Sequence, residues 1–239
     1  MFKALLFALV AAFGNVLGAL AVTRRAIREL EIIELLVAFG AGFMLSVAII
    51  ELLPAALARS GAVGPALVLA GYLAVHLTQH TVTPHFHFGE ETHAVSPLAG
   101  TSALVGLLLH TFFDGVAIAS AFLVRADLGV MVFVAIFLHK LPEGVTISSL
   151  MVAGGRSAGR AVGAGALLGL ATLVGVVFTE QLGFLVQHGL AISAGVTIYV
   201  AASNLVPEFQ GKRGWQVPAA FFSGALVFFL TKLLMDRVA

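Results

Sequence analysis

A chain of 239 residues with 60% hydrophobic and 10% charged side chains, and a mean hydropathy of +1.06, cannot clothe itself in polar groups; a soluble domain carries about 25% charged residues. This excludes a water-soluble fold and marks an all-α integral membrane protein, whose first partner is the lipid bilayer. The net charge of +1 gives no reason to expect a nucleic acid, and the lack of cysteine excludes disulfides, thiolate metal sites and a thiol nucleophile.

Roughly 20 apolar residues cross a bilayer as a helix. Runs of that kind predict eight spans, at 2–22, 32–53, 64–83, 98–123, 128–151, 161–180, 187–206 and 216–235. The short breaks between them leave no room for a second domain, so residues 1–239 read as a single transmembrane domain. The first run, "MFKALLFALVAAFGNVLGALAVTRR", has the outline of a secretory leader. Its apolar part is longer than a leader needs, and Arg24 and Arg25 follow it as a stop signal would, so it reads as a retained span. Lys and Arg sort by loop. Arg24, Arg25, Arg28, Arg156, Arg160, Lys212 and Arg213 fall in odd-numbered loops, and only Arg59 and Arg125 in even-numbered ones. Cytoplasmic loops carry the positive excess, which predicts both termini extracytoplasmic. With no targeting signal and short loops, a prokaryotic inner membrane is expected.

The second span ends in "ELLP", with Glu51 three residues before Pro54; Glu34 at its start reads as interfacial. The third runs into "HLTQHTVTPHFHFGEETH", holding His76, His80, His85, His87 and His93 with Glu90 and Glu91, and the His-rich cytosolic loop covers about 84–97. His76 and His80 share a helical face, and His85 and His87 an extended one. Imidazoles so spaced bind Zn²⁺ loosely without a cage. The segment reads either as a device for capturing or sensing metal or as a solvated polar loop.

The fourth span contains "LLLHTFFDGVAIASAF", with His110 and Asp114 four residues apart, and the fifth contains "VFVAIFLHKLPEGVTISSLMV", with His139 and Glu143 at the same spacing. That spacing puts each pair on one helical face. Ionisable groups in mid-span cost kilocalories and normally face a bundle interior where something pairs with them. Two imidazoles and two carboxylates suit a tetrahedral divalent ion such as Zn²⁺, though imidazole also suits other metals. The alternative is a structural cluster of ion pairs holding the two spans together. Pro142 removes a helical hydrogen bond and frees the Leu138 carbonyl, a defect tolerated in a membrane beside protein or a water-filled cavity. Gly115 and Gly144, next to the carboxylates, allow close approach or local unwinding.

Of the later spans, the sixth carries Thr172 and the small residues Gly163, Gly165 and Gly169, which can pack helices within one chain or between the two copies of a homodimer. His188, before the seventh, reads as interfacial, as does Glu208 after it. The seventh echoes the second: "ISAGVTIYVAASNLVP" (192–207) lies on "FGAGFMLSVAIIELLP" (39–54) without a gap and with six identities, setting Asn204 against Glu51. Shared composition explains part of this. An inverted repeat of spans 1–3 and 6–8 around spans 4 and 5 explains it as well, and transporters built so hold their substrate near the midplane. Glu51 and Asn204 then sit near opposite ends of a pathway, or serve as helix-end anchors.

"HTFFDG" followed by "HKLPEG" resembles the two signature helices of the ZIP (Zrt/Irt-like) metal transporters, which usually read H-N-x-x-E/D-G and H/Q-D/E/K-x-P-E-G. The eight spans, outward termini, His-rich third loop, "ELLP" and "NLVPE" fit the same family. The resemblance implies uptake of Zn²⁺ or another divalent metal into the cytosol by alternating access, with His110, Asp114, His139 and Glu143 as the transport site. It implies less at the family's adjacent second site. Thr111 stands where Asn is common, Lys140 where an acid often stands, and Thr172 where some members have Glu. A fixed ammonium repels a second cation, so a mononuclear site is expected, with Lys140 paired to Asp114 or Glu143. Ligand type leaves Zn²⁺, Cd²⁺, Fe²⁺ and Mn²⁺ open.

Two other classes compete. An intramembrane metal-dependent hydrolase would use the same cluster to activate water, but H-E-x-x-H does not occur, and the G-x-S-x-G match "GRSAG" (155–159) falls in a short polar break between two spans. A proton-coupled carrier of organic solutes would use the same residues as a relay.

Overall fold

Apolar runs in hydrocarbon must satisfy every backbone N–H and C=O internally, and a helix does so within one segment. The chain, seen here as a computed structural model describing residues 2–24, 30–81, 97–207 and 214–238, is all-helical, with no strand among the described residues. Its α-helices are α1 (Phe2–Thr23), α2 (Leu30–Val47), α3 (Leu53–Ser60), α4 (Gly64–Thr81), α5 (Pro97–Val124), α6 (Ala126–Ala153), α7 (Ala158–Gln181), α8 (Gly183–Tyr199) and α9 (Gln216–Val238). The breaks are shorter than expected. Arg125 alone separates α5 from α6, Leu182 alone separates α7 from α8, and most of the break expected after Leu53 is helical as α3.

Among the described residues, seven helical stretches are long and apolar enough to cross a membrane. The expected second and third spans fall within one of these, a 42-residue stretch from Val37 to Thr78. As a straight rod it would reach about 60 Å, twice the ~30 Å hydrocarbon core. It is not straight. Gly61 takes φ +59°, and Gly61–Val63 form a single 3₁₀ turn. Neighbours on α8 show the direction of the chain on each side. Arg59 donates to the Val186 carbonyl at 2.9 and 3.1 Å, while farther along Tyr199 meets the rings of Tyr72 and His76. Val37, at the start of the stretch, packs in one apolar cluster with Leu205. α2 and α3 therefore run antiparallel to α8, and α4 runs parallel to it.

Two π-helical turns, Ala48–Leu52 and Val200–Leu205, lie at matching places in the two echoing segments, each just before a proline. Proline cannot donate to the carbonyl four residues back, and its ring crowds that carbonyl. The backbone widens instead, so Leu53 N–H reaches the Ala48 carbonyl and Val206 N–H reaches the Ala201 carbonyl.

Side chains sort by size, because lipid is as apolar as leucine and close packing, not water, holds such helices together. α1 turns Ala4, Ala8, Ala11, Ala12, Gly14, Asn15, Gly18 and Ala19 inward and leaves Phe2, Leu6, Leu9, Phe13 and Leu17 exposed. α9 exposes Phe222, Leu226, Leu230, Leu233 and Leu234. The helices pack chiefly in two sets, α1 with α5, α6 and α7, and α2 with α9 and α4 with α8; α5 with α8 and α2 with α6 join the sets. Glycines set the closest approaches. A Cβ at Gly42 or Gly224 would overlap the carbonyls of Phe221 or Phe39 between α2 and α9, and one at Gly195 or Gly71 would overlap those of Val68 or Ile192 between α8 and α4.

Candidate metal centre

α5 and α6 lie side by side, and their matched four-residue spacings bring both imidazoles and both carboxylates to one place. His110, Asp114, His139 and Glu143 are all buried, and one ligand atom from each falls within 4.8 Å of the others. Asp114 Oδ2 is the hub, 3.3 Å from His110 Nε2 and 3.3 Å from His139 Nε2. His139 Nδ1 sits 3.1 Å from the Ala135 carbonyl. A carbonyl only accepts, so Nδ1 carries a proton, and this bond fixes the ring with Nε2 facing the cluster beside Asp114 Oδ2. Metal-ligating histidines are oriented in this way. Among the described residues, His110 Nδ1 is buried without a hydrogen-bond partner. Such an atom loses its hydration with nothing in return, and a cation would satisfy it.

Pro142 leaves α6 helical from Ala126 to Ala153, so the turn that carries Glu143 does not unwind. Gly144 and Gly115 serve close approach instead: a Cβ at either would overlap the carbonyl of Asn15 on α1 or of Thr172 on α7.

The family model for ZIP zinc transporters matches residues 89–235, more than half of the chain and both signature helices. The chain belongs to the ZIP zinc transporter family. A search of curated proteins finds no match. This ZIP chain is thus a multi-pass membrane protein, a transporter of divalent metal and not an enzyme, and its buried His/Asp/His/Glu group can hold a metal ion.

Within this ZIP cluster lies Lys140, wholly buried at 0% exposure, its Nζ 2.6 Å from Asp114 Oδ2 and 2.7 Å from Glu143 Oε2. It pairs with both carboxylates, where the sequence suggested one or the other. Thr111 is buried beside them; its hydroxyl bonds the Leu107 carbonyl and lies 3.4 Å from Glu143 Oε1. Thr172 is buried against Gly115, its hydroxyl 3.4 Å from the Leu168 carbonyl.

The sequence reading passed over Asn15. It is fully buried, and with its amide turned to face the two acceptors it donates to the Lys140 carbonyl at 2.5 Å and to Glu143 Oε2 at 3.2 Å. One signal was available: a lone amide between Gly14 and Gly18 in mid-span is costly in hydrocarbon and so calls for a partner.

The expected pathway residues lie apart from the cluster's hydrogen bonds. Glu51, in the first π turn, is 6% exposed, pairs with Arg125 at 3.2 Å and bonds Lys232 of α9. Arg125 also binds Asp127 at 2.8 Å, and that carboxylate pushes the guanidinium above its ordinary pKa. Asn204 is half-buried in the second π turn. His76 is exposed on α4, against Tyr199. The His80 side chain and all of His85, His87 and His93 lie outside the described residues. His188 bonds the Ser60 hydroxyl at 3.1 Å. Gly165 and Gly169 pack α7 on α1, while Gly163 faces open space.

Proposed function

We propose that this ZIP transporter moves a divalent cation, Zn²⁺ first among the candidates, into the cytosol by alternating access, using a single-ion site of His110, Asp114, His139 and Glu143. The observation that carries this reading is that four protein ligands from two helices come within 4.8 Å of one another, all buried. The charge balance argues against a purely structural cluster. With the imidazoles neutral, one ammonium faces two carboxylates and leaves a residual negative charge, besides a His110 Nδ1 that has no partner among the described residues. Two imidazoles and two carboxylates match the N/O preference of tetrahedral Zn²⁺.

Residues 1–239 act as one domain with eight crossings and both termini outside, in a cell inner membrane. The reversal at Gly61 supports the count, since it divides the 42-residue stretch into two passages. The paired π turns support the inverted repeat of spans 1–3 and 6–8, as do the glycine contacts. Gly42 and Phe39 on α2 meet α9 as Gly195 and Ile192 on α8 meet α4. α5 and α6 then exchange places about the same axis, which sets His110 against His139 and Asp114 against Glu143. Lys140 fills the place of a second ion, with Thr111 and Thr172 lining it, and this limits the site to one metal. Glu51 and Asn204 mark the two ends of the pathway, and the His76–His93 segment receives metal on the cytosolic side.

Purified protein in liposomes should show saturable ⁶⁵Zn²⁺ uptake that competing Cd²⁺, Fe²⁺ and Mn²⁺ reduce in order of preference. His110→Ala should abolish it. Uptake by that variant at the wild-type rate would overturn the proposal.

A further inference from the structure

Glu143 has two oxygens, and the structure treats them differently. Oε2 receives Lys140 Nζ at 2.7 Å and the Asn15 amide at 3.2 Å. Oε1 has only the Thr111 hydroxyl near it among the described residues, at 3.4 Å. That hydroxyl has one proton to divide between Oε1 and the Leu107 carbonyl. Oε1 therefore receives at most one long, shared bond, while Oε2 receives two donors.

Asn15 is held in place for this task. Gly18 has no side chain, so α1 can press on the Leu141 carbonyl, and Gly144 has none, so the Asn15 carbonyl can press on α6. The second amide proton goes to the Lys140 carbonyl at 2.5 Å. One side chain thus ties together the backbone that carries Lys140 and the carboxylate of Glu143, from a helix that contributes no ligand.

We propose that Asn15 is the positioning residue of the transport site: it holds Glu143 through Oε2 and so presents Oε1 to the cation. The inference rests on the single-ion site proposed above. When a metal ion enters, the Asn15 amide stays on Oε2, and the carboxylate keeps its orientation and binds through one oxygen. Without Asn15, Glu143 is free to turn either oxygen, or both, toward the ion. The orientation must then be paid for at every binding event. Groups that orient metal ligands in this way are worth about 10–100-fold in affinity.

The alternative is that Asn15 only fastens α1 to α6. Asn15→Leu separates the two, because it keeps the approximate size and adds no charge while removing both donors. Cd²⁺ titration in detergent should give affinity about 10–100-fold weaker than wild type. Uptake in liposomes should show a raised KM with the maximal rate per folded protein undiminished. Affinity and KM within twofold of wild type would overturn the inference, as would a lower maximal rate at unchanged KM, the sign of a fastening role. Glu143→Gln, measured alongside, guards the underlying reading: if it binds Cd²⁺ as wild type does, the site assignment fails and not merely the role of Asn15. Should Asn15→Leu and Asn15→Ala both fail to fold, a structure of the wild-type protein with Cd²⁺ decides. An Asn15 amide within hydrogen-bond distance of Glu143 Oε2 supports the inference, and an amide turned away overturns it.

Discussion

With its ammonium 2.6 and 2.7 Å from two carboxylates, Lys140 competes with any ion that enters the cluster. A buried charge that loses its partner costs about 3–5 kcal/mol. Lys140→Met should therefore lower the melting temperature of the metal-free protein, and saturating Zn²⁺ should close most of the gap, because the ion takes over the ammonium's role. A gap that persists at saturation would contradict the competition. Lys140→Asp should raise the metal stoichiometry in a binding titration, and an unchanged value would count against Lys140 as the occupant of a second ion's space. Both His-x-x-x-carboxylate pairs were legible in the sequence, because their spacing is a helical turn and their cost in lipid is high. Asn15 was not, because its partners lie on another helix and no spacing within α1 points to them.

Between residue and fold stand the helix contacts, and here glycine decides. Gly144→Ala would push a methyl into the Asn15 carbonyl, and Gly115→Ala one into the Thr172 carbonyl, parting α1 from α6 or α5 from α7. Overpacking of this kind costs about 1–3 kcal/mol. Each variant should melt below wild type and bind metal more weakly, while Gly163→Ala, whose methyl meets open space, should match wild type in both. Equal melting temperatures for all three would show that these contacts have slack. Hydropathy revealed where the helices run, since length and apolar composition are what a bilayer demands. It did not reveal the π turns. Pro54 looked like the end of a span, yet the chain widens by one residue per turn and continues as α3 to Ser60, a response of the backbone that composition does not encode.

Across the whole molecule, Glu51 links the two sets of helices, tied to Lys232 on α9 and to Arg125 at the start of α6. Beyond the fourth and fifth spans, whose matched pairs call for one another, which helices would be neighbours could not be read from the chain, because every span is apolar enough to face any other; the internal echo hinted only that α2 and α8 play equivalent parts. The orientation is directly testable, since the chain lacks cysteine. Single substitutions Ala62→Cys, Thr81→Cys and Ser157→Cys place one thiol each at exposed positions. In intact cells an impermeant maleimide should label Ala62→Cys and leave the other two unlabelled. Labelling of Thr81→Cys instead of Ala62→Cys would reverse the orientation, and labelling of both from outside would break the eight-crossing arrangement. The site itself is tested most directly by anomalous diffraction at the zinc edge from crystals grown with Zn²⁺. A single peak enclosed by His110, Asp114, His139 and Glu143 is the expected result; no peak there, or two, would contradict a one-ion transport site.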